Sequence, residues 1–79
     1  MNISVATAKR ISQLLKEKDF TQYRLAKETC ISGQALRDIL HFRTKDINSS
    51  TVFLIASAFG MKLKEFYDSP LFDEENIEA

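Results

Sequence analysis

Gln34 and Arg37 stand three residues apart, and each carries a planar head group that can make two parallel hydrogen bonds. An amide offers a donor beside an acceptor, the complement of an adenine edge; a guanidinium offers paired donors, the complement of a guanine edge. Arg43 and Lys45 follow closely and add two positive charges, which suits a phosphate backbone. Gln22 and Ser32 open two apolar-periodic segments. At a helix N-terminus, free backbone N–H groups favour phosphate. Catalysis has no comparable footing: there is no Gly-rich phosphate loop and no nucleophile–base spacing. His41 is the one histidine and has no ligand partner at metal spacing. Cys30 is the one cysteine, so no internal disulfide forms, and it is expected as a buried turn residue. No enzyme activity, cofactor or metal is expected.

These side chains need short helices to position them. Ile11, Leu14 and Leu15, with Ala8 one turn earlier, mark an amphipathic helix over about 4–18. Thr21 is a good N-cap for a second helix, Gln22 to Thr29, with Leu25 and Ala26 as its apolar contacts. Ser32 can cap a third, running from Gly33 to Leu40 or His41, whose stripe is Leu36, Ile39 and Leu40. At about 100° per residue, Gln34, Arg37, Asp38 and His41 then point away from that stripe. Residues 41–49 carry no clear period and read as a loop. Val52, Ile55, Ala56 and Phe59 give a fourth helix from Ser49 or Ser50, ended by Gly60 in the left-handed conformation. Leu63 to Tyr67 reads as a short fifth helix with Leu63, Phe66 and Tyr67 inward, stopped before Pro70. The class is all-α, since helix spacing recurs and strand alternation does not.

The formal net charge of zero hides an asymmetry. Residues 1–67 hold all eleven Lys and Arg against six acids, a balance of +5. Residues 68–79 hold five acids and no base, a balance of −5. The chain therefore divides into a basic domain, 1–67, and an acidic C-terminal tail, 68–79, of which residues 71–79 are expected to fray. Charge of this kind points to a polyanion partner for the basic part. The tail could also make a dimer contact through Leu71, Phe72 and the fifth helix, or compete with a polyanion for the basic face. At 79 residues the chain is one small domain of modest stability. Apolar runs such as Val52 to Ile55 are far short of a membrane span, no signal peptide is seen at the N-terminus, and the expected location is cytoplasmic.

Two short helices joined by a tight turn, with small Ala26 at the crossing and Ile31, Leu36 and Ile39 pinning the pair, follow the physical recipe of a helix-turn-helix. The stretch TQYRLAKETCISGQALRDIL (21–40) resembles the helix-turn-helix of the Xre family, the phage-repressor and Cro-like class. ISQLLKEKDFTQ (11–22) resembles the family's first helix and entry to the second. STVFLIASAFGMKLKEFYD (50–68) resembles its fourth and fifth helices. The resemblance covers roughly residues 8–67 and implies a five-helix lambda-repressor-like DNA-binding bundle. It implies sequence-specific binding to double-stranded DNA, usually as a transcriptional repressor and often as a homodimer on a palindromic operator. Gln22 matches the family's phosphate-contacting glutamine. Ser32, Gly33, Gln34, Arg37 and Asp38 match its base-reading positions, and Arg43, Thr44 and Lys45 its backbone-contacting positions.

The sequence departs from that pattern at four places. Cys30 and Phe42 stand where glycine is preferred or frequent, Lys62 where a capping Ser or Thr is common, and Asp38 where Arg or Lys is frequent. Beside phosphates a carboxylate must accept from a cytosine amino group, pair internally, or weaken binding. Asp38 and the acidic tail favour the alternative reading, a protein-interaction or antitoxin-like module on the same fold with weak DNA affinity.

Overall fold

The computed structural model describes residues 1–78. Five α-helices follow in order: α1 (Ile3–Glu17), α2 (Gln22–Thr29), α3 (Gly33–Leu40), α4 (Ser49–Ala58) and α5 (Leu63–Phe66). Single 3-10 turns at Pro70–Phe72 and Glu74–Asn76 close the chain. There is no strand among the described residues. The second and third helices begin and end where the sequence places them; the first and fifth differ by a residue at their ends, and His41 caps α3 instead of extending it.

Each of the first four helices starts at a side chain that accepts from a free N–H of its first turn. Asn2 Oδ1 accepts from Val5, Thr21 Oγ1 from Arg24, Ser32 Oγ from Ala35 and Asn48 Oδ1 from Thr51, at 2.8–3.0 Å. Lys62 has no acceptor to offer α5; Glu65 compensates by reaching back to the Lys62 N–H at 3.0 Å. Arg10 braces the other end of α5, donating through Nε to the Phe66 carbonyl and through Nη2 to that of Glu65.

Three helices end in the same way. After α1, α3 and α4 one residue turns left-handed: Asp19 (φ 55°), Phe42 (φ 62°) and Gly60 (φ 72°). The residue beyond each donates back to a carbonyl of the last turn: Phe20 to Leu15, Arg43 to Asp38 and Met61 to Ala56, at 2.8–2.9 Å. Cys30 (φ 61°) plays the left-handed part after α2. It is exposed, not buried as expected from the sequence, because the turn aims its side chain off the core while Thr29 and Leu25 face inward.

The core draws on every helix: Ile11 and Leu14 of α1, Leu25 of α2, Leu36 and Ile39 of α3, Val52, Ile55 and Phe59 around α4, and Phe66 of α5. Burying each such side chain is favourable by about 1.5–3 kcal/mol. α2 and α3, two turns each, would not persist alone; this shared core holds them. Leu63 and Tyr67 are each 38% exposed, contrary to the expectation that both face inward. A four-residue helix has only one side to bury, and Phe66 occupies it.

Residues 70–78 of the acidic tail fold back against the bundle. Phe72 packs edge-on against Tyr67, with ring centroids 4.9 Å apart, and lies 6.2 Å from Phe66. The terminal ammonium of Met1 donates to the Asn76 carbonyl at 3.1 Å and pairs with Glu78 at 3.2 Å. Tail and amino terminus thus close on each other. Among the described residues, no helix is long and apolar enough to cross a membrane.

Candidate nucleic-acid interface

The face of α3 opposite Leu36 and Ile39 is open to solvent. Ser32, Gly33, Gln34 and Arg37 are exposed on it, and Asp38 is half-buried at its edge. The chain keeps this face free by using the remainder of α3 as core.

The side chains on the face are bonded to one another. Arg37 Nη2 donates to Gln34 Oε1 at 3.0 Å, and Gln34 Nε2 donates to Asp38 Oδ1 at 2.9 Å. Arg43 Nη1, from the loop after α3, reaches the same Asp38 oxygen at 3.4 Å. Of the fates open to a carboxylate here, Asp38 adopts internal pairing. His41 Nδ1 sits 2.9 Å from the Arg37 carbonyl, so the ring helps close the helix end.

Gln22 lies at the start of α2, exposed, across an open cleft of about 410 Å³ from Gly33 and Arg37. Tyr23, Ala26 and Lys27 complete the lining. The small side chain of Ala26 forms its floor and packs on the core beneath. A Cβ built on Gly33 would meet nothing within 4 Å, so the fold does not require glycine there; the position is simply open to close approach.

The sequence-expected residues therefore fall into groups. Gln22, Gly33 and Arg37 share the cleft; Gln34, Arg37, Asp38 and Arg43 share the hydrogen-bond network. Thr44 is half-buried and shares a smaller cleft of about 250 Å³ with Asp38, Ile31 and Thr51. Lys45 is exposed at the far end, beside Asn2, Ser4 and Glu78, and joins neither group. Ser32 is tied to capping its own helix.

Tyr23 and Lys27 were not singled out by the sequence reading. Tyr23 is 75% exposed, with Lys27 Nζ 6.0 Å from its ring centroid. Their i, i+4 spacing, one position round from Gln22 and Ala26, is the signal that places them on the cleft. Among the described residues, no group of three or more His, Cys, Asp or Glu is placed to hold a metal ion.

A model of the Cro/C1-type HTH DNA-binding domain matches residues 10–70, most of the chain and all of α2 to α5. The chain belongs to that family. The resemblance drawn from residues 8–67 and the all-helical fold agree with it. No curated protein and no solved structure matches the chain significantly. Membership makes double-stranded DNA the partner and regulation by DNA binding the activity class of this Cro/C1-type domain.

Proposed function

We propose that this chain is a sequence-specific transcriptional regulator, acting as a repressor, that lays α3 in the major groove of duplex DNA. The carrying observation is the free face of α3, where Gln34 and Arg37 project while Leu36 and Ile39 are buried beneath. In this reading Gln34 and Arg37 meet base edges, with adenine and guanine as their natural complements. Gln22, Ser32, Arg43, Thr44 and Lys45 meet phosphates on either side, and Gly33 lets the backbone approach closely. Repression follows from occupancy, since a bound protein excludes others from the same stretch of duplex.

The chain acts as a symmetric dimer in this proposal, with half-sites roughly 34 Å apart. Exposed Phe53, Leu54 and Leu63, which border a shallow cleft with Ser49 and Ser50, support it. They are a better-placed apolar surface than Leu71 and Phe72, which are half-buried. Asp38 and the acidic tail are the features that favour the protein-interaction alternative, and both are engaged within the chain.

Selection of bound duplexes from a random pool, followed by gel shifts over a salt titration, tests the reading. The expected result is a palindromic consensus whose affinity falls steeply with salt, by about 0.9 in log–log slope for each phosphate contact. No consensus, or weak binding indifferent to salt, would reject it.

A further inference from the structure

We propose that Asp38 is a specificity-determining positioning residue, which sets the amide of Gln34 for base reading and holds Arg43 back from indiscriminate phosphate contact. The inference rests on the DNA-reading function proposed above and deepens it.

A glutamine amide can flip end for end at little cost when nothing holds it, and a flipped amide exchanges donor for acceptor. Here both ends are held by groups of fixed polarity. Arg37 can only donate, so the oxygen of Gln34 must face it; the ionised Asp38 can only accept, so the nitrogen must face that. Each internal bond uses one of two available sites. One N–H of Gln34 and one lone pair on its oxygen remain, the pair an adenine edge requires. Arg37 has used one donor of five and keeps enough for a bidentate contact. The network therefore selects an orientation without exhausting the groups that would read DNA.

Asp38 has an opposite effect on affinity for any duplex. Its charge repels phosphate, and its pairing with Arg43 competes with phosphate for that guanidinium. Both effects act equally on every sequence. The carboxylate thus lowers the sequence-independent part of binding while ordering the sequence-dependent part. A simple surface ion pair would do only the first.

Asp38→Ala and Asp38→Asn separate the two effects. Asparagine keeps an oxygen that can accept from Gln34 Nε2 and loses the charge that engages Arg43. The probes are the duplex recovered by selection with the wild-type chain and a scrambled duplex of equal length, each titrated over salt, with thermal unfolding as a check on folding. Asp38→Ala is expected to lower the ratio of specific to scrambled affinity about tenfold, the scale of one good base contact. Scrambled binding should tighten, with a salt slope steeper by about 0.9 as Arg43 becomes free. Asp38→Asn should retain most of the ratio while showing the same steeper slope. A wild-type chain that discriminates, with an unchanged ratio in Asp38→Ala, would overturn this inference alone. A wild-type chain with no salt-sensitive binding to either duplex would overturn the DNA reading and this inference together.

Discussion

The hydroxyl of Ser4 donates a 2.9 Å hydrogen bond to the backbone carbonyl of Lys45, fastening the first turn of α1 to the loop after α3. Ser4 is buried, and the carbonyl it satisfies belongs to a residue whose side chain is exposed at the proposed phosphate face. One bond therefore links the core to the position of Lys45. Ser4→Ala removes the donor and leaves the carbonyl short of a partner, which should cost about 1–2 kcal/mol in denaturant unfolding. It should also raise hydrogen-exchange rates in residues 43–47 and weaken DNA binding several-fold. Lost stability with unchanged loop exchange would show that the bond does not position the loop.

Cys30 makes a second test possible. A side chain at φ 61° is strained by roughly 1–2 kcal/mol, which glycine escapes, although glycine also gains freedom in the unfolded chain. Because the cysteine is exposed, little packing is lost with it. Cys30→Gly should therefore stabilise the fold by about 0.5–1 kcal/mol, a rise in Tm of a few degrees for a domain of this size. Gly60→Ala, at φ 72°, should move the melt the other way by about 1 kcal/mol. Equal melting temperatures for wild type and Cys30→Gly would show that the turn carries no such strain.

These cases mark what was legible in the chain. The limits of α2 and α3 could be read because Thr21 and Ser32 are strong caps beside short apolar stripes, and both cap hydrogen bonds are present. The placement of Gln34 and Arg37 on the free face followed from the angle per residue alone. The internal bonding of Asp38 could not be chosen from the sequence: an i, i+4 carboxylate and amide can pair, but so can either with solvent or a base. The tie from Ser4 to Lys45 and the brace of Arg10 on α5 span 41 and 56 residues, and periodicity carries no information over such separations. The packing of Phe72 was not legible for a related reason. The tail's acidic composition points to fraying and gives no sign that one aromatic ring would find Phe66 and Tyr67.

Substitutions across the α3 face should divide by what they meet. Arg37→Ala and Gln34→Ala should each reduce the preference for the selected duplex by about 1–3 kcal/mol and relax the consensus at one position. Lys45→Ala should weaken binding to all duplexes alike and flatten the salt slope by about 0.9, whereas Arg43→Ala should flatten it by much less, because Asp38 already engages that guanidinium. Selection experiments on each variant, paired with salt titrations, read both quantities. If loss of Lys45 altered the consensus while loss of Arg37 merely lowered affinity, the proposed division of roles would be wrong.

The tail combines packing and charge, and truncation would confound them. Removing residues after Asp68 discards Phe72 with the acids, so any change in DNA binding would be mixed with loss of stability. Point variants keep the two apart. Phe72 is half-buried on Phe66 and Tyr67, and Phe72→Ala should destabilise the fold by about 1–3 kcal/mol, less than the 3–5 of a fully buried ring. Glu74 and Glu75 are exposed, so Glu74→Gln with Glu75→Gln should leave the melt nearly unchanged. If the tail's field opposes the approach of phosphate, that double variant will bind a scrambled duplex more tightly at low salt. The difference should vanish as added salt shortens the screening length from about 30 Å at 0.01 M to about 8 Å at 0.15 M. Identical low-salt affinities for wild type and the double variant would leave the tail with a packing role only.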